Sequence, residues 1–369
     1  MRILFDNQIF ELQKFGGVSR YFNELLKMSG TDLLVERITG DVAQAEIPRM
    51  AETDLFSRGM RYIKRKAGIS AEAVLQDNYS ATIAKLEKSD FDLFHPTYFD
   101  PYFLDAVRKP FVVTVYDMIH EICSEFYSPG DKTSTNKRLL CNRAAAVITI
   151  SETTKNDLIS LFKTDQEKVH AIPLASDFDQ IIASRPSRLD GIENYILYTG
   201  ARWAYKNFYF TALAISDLLK QDRTLQLLCT GHEFSKEEHQ FFSGLGIGSQ
   251  VRHIYLKTDN ELAWVYKNAR VFIFPSLYEG FGFPLLEAFA TDCPVVSSDR
   301  GSLKEVGGNG PIYFDPKKIN QVQDALHSAL YNSEARNGMI ERGRQQFKKF
   351  SWDKCRLQTA AVYRSIVNN

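Results

Sequence analysis

Short, mostly apolar runs alternate with longer stretches of helical period along this chain, and they do so in two blocks. The first block has runs at residues 3–5, 33–37, 91–94, 111–115, 146–150 and 169–172, and the second at 195–199, 225–229, 251–255, 271–274 and 294–297. Runs this rich in β-branched and aromatic residues suit strands covered on both faces, and the helical stretches between them supply the crossovers that parallel strands need. One such stretch carries Val18, Tyr21, Phe22, Leu25 and Leu26 on a single face. At 176–193, proline, serine, aspartate and glycine gather and the period stops. The pattern predicts an α/β protein of two Rossmann-like parallel-sheet domains, residues 1–180 and 190–349, facing each other across a cleft. A last helical stretch at 352–366, within a segment 350–369, follows the completed second block. A chain of 369 residues is also longer than one ordinary core.

Charge and cysteine usage exclude several partners. The 45 Lys and Arg balance 45 Asp and Glu, so no field draws the chain to nucleic acid. The five cysteines, Cys123, Cys141, Cys229, Cys293 and Cys355, are odd in number and form no C-x-x-C pair, which suits reduced thiols in a cytoplasm and no zinc site. The apolar start at 3–5 meets Asp6 and Asn7 at once, unlike a signal peptide, and no apolar run has the length of a membrane span. The expected location is cytoplasmic.

The chemistry concentrates at 272–298. There an apolar run enters the loop P-S-L-Y-E-G-F-G, which holds Glu279, and a helix beginning F-P-L-L-E, which holds Glu287. Gly280 and Gly282 permit a tight turn and close backbone approach, and Pro284 has no N–H to lose at a first helical position. The result is a helix N-terminus at the carboxyl end of a parallel strand, a site suited to an anion. Two carboxylates there would repel a phosphate, so they must face hydroxyl groups while cations hold the phosphate. A sugar joined to a nucleoside diphosphate has both kinds of group. The cations stand at the start of the same block, where Gly200 ends a run and Arg202 and Lys206 follow before the next helix.

Glu279-Gly-Phe-Gly-Phe-Pro-Leu-Leu-Glu287, in its P-S-x-x-E-G-F-G-x-P-x-x-E-A setting, resembles the E-x7-E signature of retaining GT-B glycosyltransferases of family 4, a group that includes mannosyltransferases of bacterial surface polysaccharide and O-antigen assembly. Gly200, Arg202 and Lys206 resemble the family's diphosphate clamp. The resemblance implies a GT-B fold whose C-terminal helix returns to the first domain. It also implies a hexosyl transfer from a nucleotide sugar, with GDP-mannose the first choice, to a hydroxyl of a saccharide or lipid-linked saccharide. By the same resemblance Arg202 and Lys206 stabilise the departing diphosphate and Glu279 orients the donor sugar. Gly280, Phe281, Gly282 and Phe283 approach sugar or phosphate, Leu286 lies on the donor side, and Glu287 binds ribose. Gly231 and residues 255–259 border the base, and Glu305 supports the loop.

In the first block Gly16 and Gly17 fit either a plain turn or the family's glycine pair beside the donor phosphate. The segment V-V-T-V-Y-D-M-I-H-E, residues 112–121, resembles the family's strand followed by His-Asp, with Asp117 in place and Tyr116 where the histidine stands. His120 is either its substitute or a loop histidine. His95, Tyr98 and Tyr116 are candidates to line the acceptor cleft, with aromatic packing as the competing reading. Ser151 reads as a helix cap. The D-x-D patterns at Asp90 and Asp92 and at Asp177 and Asp179 lack a further ligand at useful spacing, so no metal and no cofactor is assigned. Residues 56–67 carry Phe56, Met60, Ile63 and Ala67 on one helical face amid Arg58, Arg61, Lys64, Arg65 and Lys66. This is either a core stripe with a solvated basic face or a peripheral contact with anionic lipid. A GT-B phosphorylase, a nucleotide-sugar epimerase and a catalytically silent nucleotide-sugar-binding module are the other functions compatible with the pattern.

Because two side-chain cations take the place of a divalent ion, transfer is expected to keep its rate in EDTA. A loss of activity restored by magnesium or manganese would remove Arg202 and Lys206 from that role.

Overall fold

The computed structural model describes residues 1–13, 16–30, 32–40, 71–189, 191–202 and 204–368. The basic stretch 56–67 lies outside the described residues. In the first half, β1 (Arg2–Phe5), β2 (Leu34–Arg37) and β3 (Leu93–His95) pair in the order β2-β1-β3, and β4 (Val112–Val115), β5 (Ala146–Thr149) and β6 (Val169–Ala171) in the order β4-β5-β6. A parallel bridge between Phe94 and Phe111 joins the two groups. The second half is a six-stranded sheet of β7 (Tyr195–Tyr198), β8 (Gln226–Thr230), β9 (Val251–Ile254), β10 (Val271–Phe274), β11 (Val295–Ser298) and β12 (Ile312–Phe314), ordered β12-β11-β10-β7-β8-β9. Every pairing in both sheets is parallel.

Strand order reverses between β7 and β10 in the second sheet and between β1 and β3 in the first. Loops leaving the carboxyl ends of strands on either side of such a reversal diverge to opposite faces and open a crevice. The loops after β7 and β10 carry Lys206 and Glu279, so the topology explains why these two segments, far apart in sequence, share a site. Strand β7 shows the double-faced burial its composition predicts: Tyr195 and Leu197 join the core that runs through both halves, while Ile196 and Tyr198 face the second core, with the helices Phe208–Gln221 and Ile319–Tyr331. The sequence pattern missed β12. Its three residues are too few to show a period, and pairing with β11 is what makes them a strand.

The final helix, Trp352–Val367, packs on the helix Gly17–Leu26 and on β5, returning the chain to the first half. Arg356 Nη1 lies 2.6 Å from Glu24 Oε2, and Arg364 Nη2 lies 2.9 Å from Asp32 Oδ2. The Tyr363 hydroxyl lies 2.6 Å from His95 Nδ1, and His95 Nε2 lies 2.9 Å from Thr114 Oγ1. His95 is thus corrected from acceptor contact to core residue. It is fully buried, both ring nitrogens are engaged, and burial pushes its pKa down to about 3, which keeps the ring neutral. Asp90 and Asp92 bind Arg2, at the end of β1 remote from the crevice. No helix among the described residues is long and apolar enough to cross a membrane.

Tyr363→Phe is expected to leave one ring nitrogen of His95 unpaired in the core, at a cost of about 1–3 kcal/mol. The loss should appear as a lower urea midpoint at unchanged slope.

Candidate active site

The crevice of the second half is built from two loops and a helix. After β10 the chain runs through Pro275 to Gly282, whose φ of +115° is readily adopted only without a side chain, and enters the helix Phe283–Ala290 with Pro284 in its first turn. Glu279 is turned back toward β7. Its Oε1 accepts hydrogen bonds from Lys206 Nζ at 2.6 Å and from Ser276 Oγ at 2.6 Å. Lys206 ends the short 3-10 turn Ala204–Lys206 and is about a fifth exposed, so a cation sits in the crevice, paired with the loop that leads into the helix Phe283–Ala290. Gly200, with φ of +100°, and Gly231, with φ of +108°, end β7 and β8 side by side.

Glu287 points inward one helical turn beyond Pro284. Tyr266 donates to its Oε2 at 3.2 Å, and Arg20 Nη1 from the first half lies 3.5 Å from its Oε1. Burial pushes the Glu287 carboxyl above the usual range; the Arg20 charge and the Tyr266 hydroxyl pull it back, and Asp259 opposes them. Leu286, expected on the donor side, is fully buried in the core and is a packing residue. The Phe281 ring is likewise buried, against Phe283 and Phe350, so only its backbone is left to serve the loop.

Arg202 does not share the Lys206 pair. Its Nε lies 2.5 Å from Glu238 Oε1 and its Nη2 3.2 Å from Glu238 Oε2, with a further bond from Nη2 to the Glu233 carbonyl at 3.0 Å. The guanidinium also stands 4.8 Å from the centroid of the Phe234 ring. Glu238 caps the helix Lys236–Gly244 in a box with Ser235. Burial would raise its pKa, but the bonds and charge of Arg202 outweigh that and hold it below the usual carboxylate range. The two cations that the sequence groups together therefore have different partners, and Lys206 is the one joined to the E-x7-E loop.

The first half closes the crevice. A Cβ built on Gly280 would stand 1.9 Å from the Tyr116 carbonyl oxygen and 2.7 Å from Asp117 Cβ, so the two loops touch backbone to backbone. The Gly280 carbonyl accepts from Ser151 Oγ at 2.7 Å and Thr154 Oγ1 at 3.2 Å. Ser151 does cap the helix Glu152–Phe162, but that helix receives a second cap from the other half. Glu305 accepts from the backbone N–H groups of Glu152 at 2.8 Å and Thr153 at 2.9 Å, and from the Thr153 hydroxyl at 2.8 Å. Gly17 opens the helix Gly17–Leu26 with its Cα against the Phe283 ring, where a Cβ would come within 2.7 Å. Gly16 precedes it in extended backbone.

The Tyr116 side chain is corrected from acceptor contact to core. It is buried, and its hydroxyl donates to the Thr97 carbonyl at 2.7 Å. Tyr98 is half-buried and stacks on Tyr116 with ring centroids 6.3 Å apart. Burial first, then the charges of Asp117 and Asp131, push its phenol up to about 12. Asp117 is held by its backbone: its carbonyl accepts from the fully buried Lys137 at 2.9 Å, and its Oδ1 accepts from Ile119 N at 3.0 Å. Lys137 also meets Glu121 Oε2 at 2.9 Å. His120 stacks on Tyr127 at 3.9 Å, and its Nε2 lies 3.6 Å from Asp131 Oδ2. Burial and the Lys137 charge lower its pKa, which favours the neutral ring. The sequence reading missed Arg20, Tyr266, Ser276, Glu238 and Lys137. Of these, Ser276 alone carried a local signal, three residues before Glu279 in the same loop.

Residues 179–346 match the family described as glycosyl transferases group 1, and the adjoining residues 65–180 match glycosyltransferase family 4. The chain belongs to the family 4 glycosyltransferases. This glycosyltransferase is 25% identical over 370 residues to the O-antigen chain mannosyltransferase B of Escherichia coli, with 94% of this chain and 96% of that one covered. Its fold is similar to sucrose-phosphate synthase of Thermosynechococcus elongatus, with a TM-score of 0.73 at 17% identity over 99% of this chain and 98% of the other. It is also similar to Anabaena HepE in complex with UDP-glucose, with a TM-score of 0.70 at 17% identity over 99% and 100%. The two facing parallel-sheet halves are those of the GT-B fold.

Gly280→Ala is expected to force the halves of the glycosyltransferase apart, because the obstacle at 1.9 Å is backbone and cannot rotate away. Misplacement of this order commonly costs about a hundredfold in rate. Gly338→Ala, where the added carbon meets only the end of the Arg342 side chain, should leave the rate unchanged. Equal activity of the two variants would show that the Gly280 contact is dispensable.

Proposed function

We propose that this glycosyltransferase takes a sugar from a nucleoside diphosphate donor, with GDP-mannose the first choice, and joins it with retention at the anomeric carbon to a hydroxyl of a saccharide or lipid-linked saccharide in O-antigen or surface polysaccharide synthesis. The observation that carries the reading is the 2.6 Å pair of Lys206 and Glu279 in the crevice at the strand-order reversal, in the loop that leads into the helix Phe283–Ala290. The mannosyltransferase relative supports the choice of sugar.

In this reading the bond from the anomeric carbon to the diphosphate oxygen breaks, and its electron pair stays on that oxygen. Lys206 and the N–H groups at the start of the helix Phe283–Ala290 meet the growing negative charge, so they bind the transition state more tightly than the ground state. Glu279, oriented by Ser276 and Lys206, accepts hydrogen bonds from the donor sugar's hydroxyls. The acceptor hydroxyl attacks from the face the diphosphate leaves, and its proton passes to a phosphate oxygen. In this reading Asp117 orients that hydroxyl, a role supported by the approach of its Cβ to Gly280. Glu287 holds the ribose. Arg202 either exchanges Glu238 for the diphosphate or serves only to build the loop after β7. No step requires a divalent ion.

A thermal-shift panel of GDP-mannose, UDP-glucose, ADP-glucose and dTDP-glucose tests the donor. A cognate ligand at a hundred times its Kd stabilises by about 2.7 kcal/mol, and GDP-mannose is expected to give the largest shift. Lys206→Ala should lower kcat by about a hundredfold to a thousandfold with a smaller change in donor binding, since the lost charge matters most in the transition state. Glu287→Ala should mainly raise donor KM. Native kcat in Lys206→Ala would reduce Lys206 to a binding residue.

A further inference from the structure

Arg20 is the one side chain of the first half with ion pairs to two carboxylates of the second among the described residues. Its Nη2 lies 2.9 Å from Asp259 Oδ2 and its Nη1 3.5 Å from Glu287 Oε1. It stands on the first turn of the helix Gly17–Leu26, whose Gly17 abuts Phe283, and its guanidinium lies 5.7 Å from the Phe178 ring centroid and 6.0 Å from that of Phe283. The site is therefore shaped on every side: aromatic rings flank the cation, Asp259 fixes one end of its fork, and Glu287 receives the other.

We propose that Arg20 is a positioning residue for the nucleotide, acting through Glu287: it keeps that carboxylate ionised and leaves its Oε1 turned toward the ribose. The inference rests on the assignment of Glu287 to the ribose. Two physical points carry it. First, an ionised carboxylate offers only acceptors and can take both ribose hydroxyls, whereas a protonated one gives up an acceptor to become a donor. Second, Glu287 is only 9% exposed, and a carboxylate taken from water at such a place needs a compensating charge. The groups facing it are Arg20 from the helix Gly17–Leu26 and, from the helix Asp259–Asn268, the Tyr266 hydroxyl and the Asp259 carboxylate. Arg20 is the only cation among them. At 3.5 Å its bond to Oε1 is long, so that oxygen holds a charge partner without a strong hydrogen bond, and a ribose hydroxyl finds a good acceptor there.

The sign of the pH effect follows. Burial raises the Glu287 pKa, and the binding-competent form is the carboxylate, so nucleotide affinity falls as pH drops through that pKa. Removing the Arg20 charge raises the pKa further and brings the acid loss nearer to neutrality. The test is titration calorimetry of GDP, UDP and ADP into the wild-type protein and the Arg20→Met, Arg20→Lys and Glu287→Gln variants, from mildly acid to mildly alkaline pH, with folding checked by melting curves. Arg20→Met should lose roughly tenfold in affinity for each pH unit below its displaced pKa, at pH values where the wild type still binds fully. Arg20→Lys should restore the wild-type pH profile with a lower plateau, because an ammonium keeps the charge but cannot span both carboxylates. Glu287→Gln should bind weakly and without this acid limb. If Arg20→Met weakens binding equally at every pH, or not at all, while Glu287→Gln is weak, Arg20 is a structural tie and the inference falls alone. If Glu287→Gln binds all three nucleotides like the wild type, the ribose assignment falls and the inference with it.

Discussion

The two halves of this glycosyltransferase meet where one residue has no side chain. Gly280 lies with its Cα against the Tyr116 carbonyl, and its own carbonyl accepts two hydroxyls from the start of the helix Glu152–Phe162. Any side chain would occupy the Tyr116 oxygen. Because Gly280 follows Glu279 directly, the contact that docks the halves also fixes the carboxylate paired with Lys206. The Tyr116 carbonyl is held in turn by its side chain, through Thr97, to Asp6. That buried carboxylate accepts from Thr97 N at 2.8 Å, Thr97 Oγ1 at 2.6 Å and Tyr102 at 3.1 Å. A chain of satisfied buried polar groups thus runs from the end of β1 to the E-x7-E loop, and such networks specify one arrangement because a half-made one is costly.

The carboxylates around the crevice, all buried but the partly exposed Glu305, divide by partner. Glu238 and Glu305 are fully engaged by Arg202 and by the N-terminus of the helix Glu152–Phe162. Each builds structure, and each makes the loop it serves less free to move. Glu279 takes both of its bonds, from Lys206 and Ser276, at Oε1, and Glu287 has two longer ones, so each keeps acceptor capacity to spare. Burial without complete satisfaction is what the proposed reading of this second pair, as acceptors for hydroxyl ligands, rests on.

Much of the fold was legible before any coordinates. The strands β1 to β11 fall within a residue or two of the runs read from the sequence; the inner strands are mostly apolar because both faces are covered, while β2, β6 and β9, at sheet ends, keep partly exposed polar residues. The E-x7-E loop was legible as well, since glycine, proline and carboxylate at fixed offsets describe a strand, a turn and a helix start at once. The errors share a cause. His95 and Tyr116 sit at the ends of strands, where a polar or aromatic residue looks like part of a site, and both prove to be internal ties. Arg202 and Lys206 are close in sequence, yet in this structure their side chains pair with different carboxylates, which local spacing does not encode.

The sequence alone determined the class of fold, the two-block organisation and the strand, turn and helix start of the E-x7-E loop, because period, glycine placement and local spacing are properties of neighbouring residues. Tertiary structure alone decided which distant groups answer one another. Arg20 meets Glu287, and Glu305 caps a helix of the other half. No periodicity encodes these pairs, since each joins side chains whose separation in the chain bears no relation to their separation in space. They exist only once two independently patterned sheets are brought face to face, and the burial created there is what gives each charge its need for a partner.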